Sequence, residues 1–259
     1  MSPFCLMGIR FTAAFIILLI IFPHRIIHID RNTLTAGLIL GVSFFAVMTA
    51  ETFSLKTTDS SITALLENTA IVMVPLFEAL IYFRAPERRT LLCTVIAFAG
   101  VAMMTFRGGS LALSAGEWLG VLSAVLYTLS IIITDRLSKK CDAFTAGIIQ
   151  TGTMGLLSIA ASFIFETPAL PHTGTEWFMI LYLAVICSSF GFALQPLAQK
   201  YTDASTTGIF CALSPLGAGV MGWVFLGERM NLTAIIGAAL IIFSIVLPYI
   251  HRRKAPASS

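Results

Sequence analysis

Hydrophobic residues fall along this chain in long blocks, separated by short polar connectors where arginine, lysine and aspartate gather. A helix rises 1.5 Å per residue, so about 20 apolar residues cross a hydrocarbon core about 30 Å thick. That ruler marks nine blocks, at 4–23, 33–54, 60–82, 90–106, 116–134, 143–165, 176–199, 204–226 and 231–250. No block alternates polar and apolar residues with the period of two that a membrane β-strand needs. Backbone amides in lipid must be satisfied within their own element. The pattern therefore predicts an all-α membrane protein, a multi-pass bundle of about nine transmembrane helices.

Composition agrees. Hydrophobic residues make up 57% of the chain and charged residues 11%, with a mean hydropathy of +0.91. A soluble domain carries about 25% charged residues, so lipid has to solvate most of this outer face. The first block does not read as a cleavable leader. No basic region precedes it, no small-residue cleavage motif follows, and it ends in Pro23-His24-Arg25. The net charge of +3 is spread over helix ends and excludes a nucleic-acid surface.

The charges also give an orientation. One set of alternate connectors holds Arg25 and Arg31; Arg84, Arg88 and Arg89; Arg136, Lys139 and Lys140; Lys200; and the tail Arg252, Arg253 and Lys254. The other set holds Lys56, Arg107 and Arg229. The positive-inside rule places the first set and the C-terminus in the cytoplasm, with the chain crossing the cell (inner) membrane.

A repeat follows from the polar segments. Lys56-Thr-Thr-Asp-Ser-Ser-Ile-Thr63 resembles Lys200-Tyr-Thr-Asp-Ala-Ser-Thr-Thr207, a shift of 144 residues. The same shift carries blocks 143–165, 176–199, 204–226 and 231–250 onto the first four blocks. Block 116–134 maps ahead of residue 1, so the full plan is five helices plus five, present here as four plus five. An odd number of helices per repeat inverts the second copy, as in many secondary transporters. The expected organisation is a first repeat at 1–106, a second at 116–250 and a basic cytoplasmic tail at 251–259. A start assigned too far downstream is the favoured account of the absent helix, ahead of a truncated gene or a true nine-helix variant.

Ionisable groups within a span are costly and are functional candidates by default. Here these are Arg10, Glu51, Glu67 and Glu78, with Asn68, Gln150, Gln195 and Gln199 as uncharged polar groups. Arg10 paired with Glu51 or Glu67 would offset the desolvation of both ions and border a cavity; a static pair that fixes packing is the competing reading. Glu78, near a span end, would snorkel or pair with Arg84 or Arg88. The shift matches Glu51 to Gln195, which places both near the repeat interface. Ser188 and Ser189 precede Gln195 and Pro196 on a helix that could loosen there. A packing seam of small residues is the alternative. Pro75, Pro196 and Pro215 lie inside blocks as kink or gate candidates.

Trp118 and Trp177 read as interfacial belt residues. The five cysteines, without a CxxC pair, read as small buried residues. His24 and His28 lack the ligand partners of a metal site. The absence of Walker, GxSxG and HExxH motifs leaves ATP hydrolysis and common enzyme chemistry without support.

Ser188-Ser-Phe-Gly-Phe-Ala-Leu-Gln-Pro-Leu-Ala-Gln-Lys-Tyr-Thr-Asp203 is similar to the eighth helix of the EamA family, in the drug/metabolite transporter superfamily. Leu213-Ser-Pro-Leu216 and Phe225-Leu-Gly-Glu-Arg229 resemble its ninth helix and closing turn, and Gly237-Ala-Ala-Leu-Ile-Ile242 its last helix. Ser2-Pro3 and Gly8-Ile-Arg-Phe11 resemble the family's second helix and the loop before it. The chain departs from the family at Ser214, where many members carry Glu, and at Arg84-Ala-Pro-Glu87.

The resemblance implies alternating access around a central cavity, no bound cofactor, and export of a small molecule such as an amino acid, related metabolite or drug. A homodimer is compatible with it. The competing functions are a truncated, non-transporting or regulatory membrane subunit and, further off, an intramembrane enzyme on lipid-linked substrates.

Overall fold

The computed structural model describes residues 2–27, 29–58, 63, 66–83, 86–105, 115–168, 170–171, 173–211, 213 and 232–250. Their main elements are helices: α1 (Pro3–Ile21), α2 (Pro23–Ile27), α3 (Arg31–Thr57), α4 (Ala70–Tyr82), α5 (Arg88–Thr105), α6 (Ala115–Ser138), α7 (Ala143–Phe165), α8 (Gly174–Lys200), α9 (Ala204–Cys211) and α10 (Leu232–Ile250). Among the described residues α1, α3, α6, α7 and α8 are long and apolar enough to cross a membrane. Their outer faces expose Ile20, Leu38, Leu122, Leu156 and Phe178, which only lipid solvates without cost. The chain is a multi-pass helical membrane protein.

Helix starts follow from local chemistry. Pro3 occupies the first turn of α1, where its missing N–H is no loss. The Phe4 amide donates to Glu166 Oε2 at 3.0 Å, which puts a carboxylate at the positive end of that helix. At the start of α3 Asp30 accepts from the Thr33 amide at 3.3 Å, and at the start of α7 Asp142 accepts from Thr145 Oγ1 at 2.7 Å. Burial works against the charge of Asp142. The Thr145 bonds and the Arg25 guanidinium, 3.2 Å away, outweigh it and hold the carboxyl below its ordinary range. Thr173 and Glu176 close a reciprocal capping box on α8.

The described chain divides into two compact units, Met1–Thr52 with Ile132–Asp203, and Phe53–Ile131 with Ala204–Ser259. The first is organised by α1 on α7. A Cβ on Gly8 would lie 2.9 Å from the Ile159 side chain, on Gly155 2.8 Å from Thr12, and on Gly152 2.8 Å from Phe15. Leu18 packs with Ile148, and Phe22 meets Phe144 edge-on at 5.0 Å. As the α1 number rises the α7 number falls, so the two helices run antiparallel. On α7's other faces, Gly37 and Gly41 of α3 sit against Ile149 and Thr153, and Gly147 sits under the Ala193 carbonyl of α8.

In the second unit α5 and α10 form the corresponding pair. Gly100 lies against Gly237 and Ile241, while the Arg89 side chain donates to the Leu247 carbonyl oxygen. This pair is antiparallel too, and its core joins Ile71, Cys93, Ala97, Val101, Ile209 and Ile241. Ser54 Oγ donates to the Gly116 carbonyl oxygen at 2.8 Å and lies 3.1 Å from Thr63 Oγ1.

Shifting by 144 residues carries the end of α7 onto Ile21, the end of α1, and the start of α10 onto Arg88, the start of α5. The helices that the repeat equates are thus the ones that pack together, in opposite directions.

Among the described residues of block 60–82, Leu66, Glu67 and Asn68 are helical, Thr69 keeps helical dihedrals at a local turn, and α4 begins at Ala70. The Thr69 hydroxyl donates to the Leu66 carbonyl at 2.6 Å, competing with regular helix bonding. Cys5 and Cys93 are buried as expected, but Cys187 is exposed, because it lies on the outward side of α8.

A methyl group at position 147 would approach the Ala193 carbonyl oxygen to 2.4 Å, and backbone cannot move aside cheaply. Gly147→Ala is expected to destabilise the protein in detergent by about 1–3 kcal/mol. Gly191→Ala, which meets nothing within 4 Å, is expected to be neutral. Thermal unfolding of both variants checks this.

Candidate functional site

The first unit holds a charged cluster between largely apolar helices. Arg10, on the second turn of α1, donates from Nε to Ser188 Oγ of α8 at 2.5 Å, and its guanidinium carbon lies 5.1 Å from the centre of the Phe11 ring. Glu51, near the end of α3, attracts Arg10 electrostatically. One residue on, Thr52 Oγ1 donates to Met7 Sδ at 3.6 Å, which pins α3 to α1 beside the cluster. Arg10 and Glu51 are half-buried; Ser188 and Ser189 are buried.

Phe11, Phe44 and Phe192 form a floor on one side, with Phe192 meeting the other two edge-on at 5.2 and 5.7 Å. A guanidinium and a carboxylate so placed can bind each other, or can exchange partners with a carboxylate and an ammonium of a guest.

The segment that carries Ser188 has unusual backbone geometry. Leu183–Phe192 is π-helical, a widened turn common at functional sites. Ser189 Oγ donates to the Ala184 carbonyl five residues back at 2.8 Å and reaches the Ala14 carbonyl of α1 at 3.4 Å. Pro196, buried just beyond, has no N–H to return to α8. The sequence places the loosening near Gln195 and Pro196; the structure places it one to three turns earlier. Gln195 itself is half-buried on the α-helical part.

The remaining candidates lie elsewhere. Glu67 and Asn68 belong to the second unit, where Glu67 is in electrostatic reach of Cys211 and Tyr127 Oη lies 3.3 Å from Cys211 Sγ. Pro75 is buried inside α4, and Pro215 lies outside the described residues. Glu78 accepts a hydrogen bond from Ser205 Oγ of α9, a partner not foreseen from the sequence. A cavity of about 470 Å³ opens on the first unit's flank, lined by apolar residues including Phe15, Ile26, Leu34 and Leu156. It does not include the Arg10 cluster and has the chemistry of a lipid-facing groove.

The EamA-like transporter family matches residues 1–106 and 114–250. An uncharacterized transporter of Archaeoglobus fulgidus is 23% identical over 94% of this chain and 86% of its own length. The uncharacterized transporter YetK of Bacillus subtilis is 22% identical over 96% of this chain and 79% of its own. A solved crystal structure of a protein 17% identical superimposes with a TM-score of 0.82, covering 98% of this chain and 90% of that one, and shares the fold. The apolar helices, the antiparallel pairing of repeat-related helices and a family match over nearly the whole chain converge: this is a membrane transporter belonging to the EamA-like transporter family.

Proposed function

We propose that the chain is a secondary carrier that exports a small metabolite, amino acid or drug-like molecule by alternating access between its two inverted repeats. The basic connectors support an inner-membrane setting with a cytoplasmic C-terminus. The observation that carries the reading is the Arg10–Ser188–Glu51 cluster. A charge held between apolar helices is costly, and a static scaffold would pack as well with leucine and methionine. In this reading Arg10 meets an anionic group of the substrate. Glu51 meets its cationic group or a coupling proton, and the π-helical segment changes register as the site alternates.

Flux of amino acids and toxic analogues through proteoliposomes tests this directly. Arg10→Met and Glu51→Gln are each expected to lower transport about 10–100-fold, the equivalent of one lost charge-assisted bond. Wild-type flux in both variants would refute the reading. If Glu51 carries the proton, Glu51→Gln also flattens the pH dependence of any residual flux.

Unfolding in detergent isolates the structural part of the same pair. Each single change leaves a half-buried charge without its electrostatic partner and is expected to cost about 1 kcal/mol, whereas the double change recovers part of that loss.

A further inference from the structure

Polar groups in the first unit extend beyond the Arg10 cluster. Gln150 of α7 and Gln199 of α8 are 0% and 2% exposed, and neither heteroatom of either amide has a hydrogen-bond partner among the described residues. Ser158 Oγ, on a residue 0% exposed, is in the same position. A carboxamide offers two donors and two acceptor sites, and burying it unpaired costs free energy that leucine at the same place would not. The residues therefore point to a guest that both donates and accepts and fits between closely packed helices. Water meets both conditions.

Their placement is ordered. Gln150, Met154 and Ser158 recur every four residues and so lie along one stripe of α7. At one end, Gly8 lies against Ile159 and Thr12 against Gly155, which sets Arg10 at the level of Ser158. At the other, Lys200 Nζ donates to the Cys141 carbonyl at 3.4 Å, which sets Gln199 beside the start of α7. From Ser158 to that start is about 22 Å at 1.5 Å per residue, most of a hydrocarbon core about 30 Å thick.

We propose that Ser158, Gln150 and Gln199 hold a file of internal water that connects the Arg10–Glu51–Ser188 cluster to the membrane face at the start of α7, the face of the basic connectors. The file deepens the carrier reading, on which its purpose rests: it hydrates the site from one side and gives protons a route to it.

Radiolytic hydroxyl-radical labelling of the detergent-purified full chain tests the water itself. Radicals form from water where the X-ray pulse strikes it, so a buried side chain is oxidised only if water touches it. Met154 is 0% exposed and lies between Gln150 and Ser158 on the stripe. It is expected to be oxidised in the folded wild type, and several-fold less in Gln150→Leu combined with Ser158→Ala. Gln150→Leu alone, the smaller change, serves if the double variant fails to fold.

Met154 left unmodified in the folded protein, while it is oxidised in the chain unfolded in SDS, overturns the proposal. Equal oxidation in wild type and variants overturns it as well. The labelling reads water rather than flux, so a failure of the carrier reading would appear as absent transport with Met154 still oxidised.

Discussion

The structure depends on one contact, the close antiparallel packing of α1 against α7. Lipid tails are as apolar as the helices, so association in a bilayer draws on close packing and hydrogen bonds more than on escape from solvent. Gly8, Gly152 and Gly155 supply that closeness, since a side chain at any of them would overlap the facing helix. Once α1 and α7 are fixed, Gly37 and Gly41 bring α3 onto one face of α7, and Gly147 brings α8 onto another. The α1–α7 register then sets Arg10 of α1 beside Ser188 of α8. The same logic recurs in α5 and α10 through Gly100.

The polar cluster arises where the two repeats have diverged. Under the shift of 144 residues Arg10 corresponds to Met154 and Ser188 to Phe44, both buried apolar residues. The charge and the hydroxyl of one copy are thus replaced by apolar side chains at the matching positions of the other. Glu51 corresponds to Gln195, which keeps polarity and loses charge. In the proposed carrier, a pseudo-symmetric scaffold holding an asymmetric site would offer two related packings around one set of charged groups.

Much of the fold was legible in the sequence because lipid imposes a hard length on apolar runs. The ends of α1, α3, α7 and α8 fall within a few residues of the blocks. The site was only partly legible. Arg10 and Glu51 stood out as charges in apolar runs, and the structure brings them into one unit.

Other features were out of reach. The Arg10–Ser188 bond joins residues 178 positions apart, and no local pattern encodes it. The π-helical turn rests on Ser189 reaching Ala184 and Ala14, a tertiary event that Pro196 signals only at a distance. Glu78 accepts from Ser205 of α9, a tertiary partner that no local pattern encodes. The isolation of Gln150 and Gln199 became visible only once the surrounding helices were placed.

Cysteine cross-linking across α1 and α7 in native membranes tests the central contact most directly. The antiparallel register predicts that Leu18→Cys joins Ile148→Cys on mild oxidation and fails to join Ile159→Cys, which faces Gly8 near the other end of α1. Efficient joining of position 18 to position 159, with none to 148, would mean that the two helices run parallel, and the inverted arrangement would fall with it.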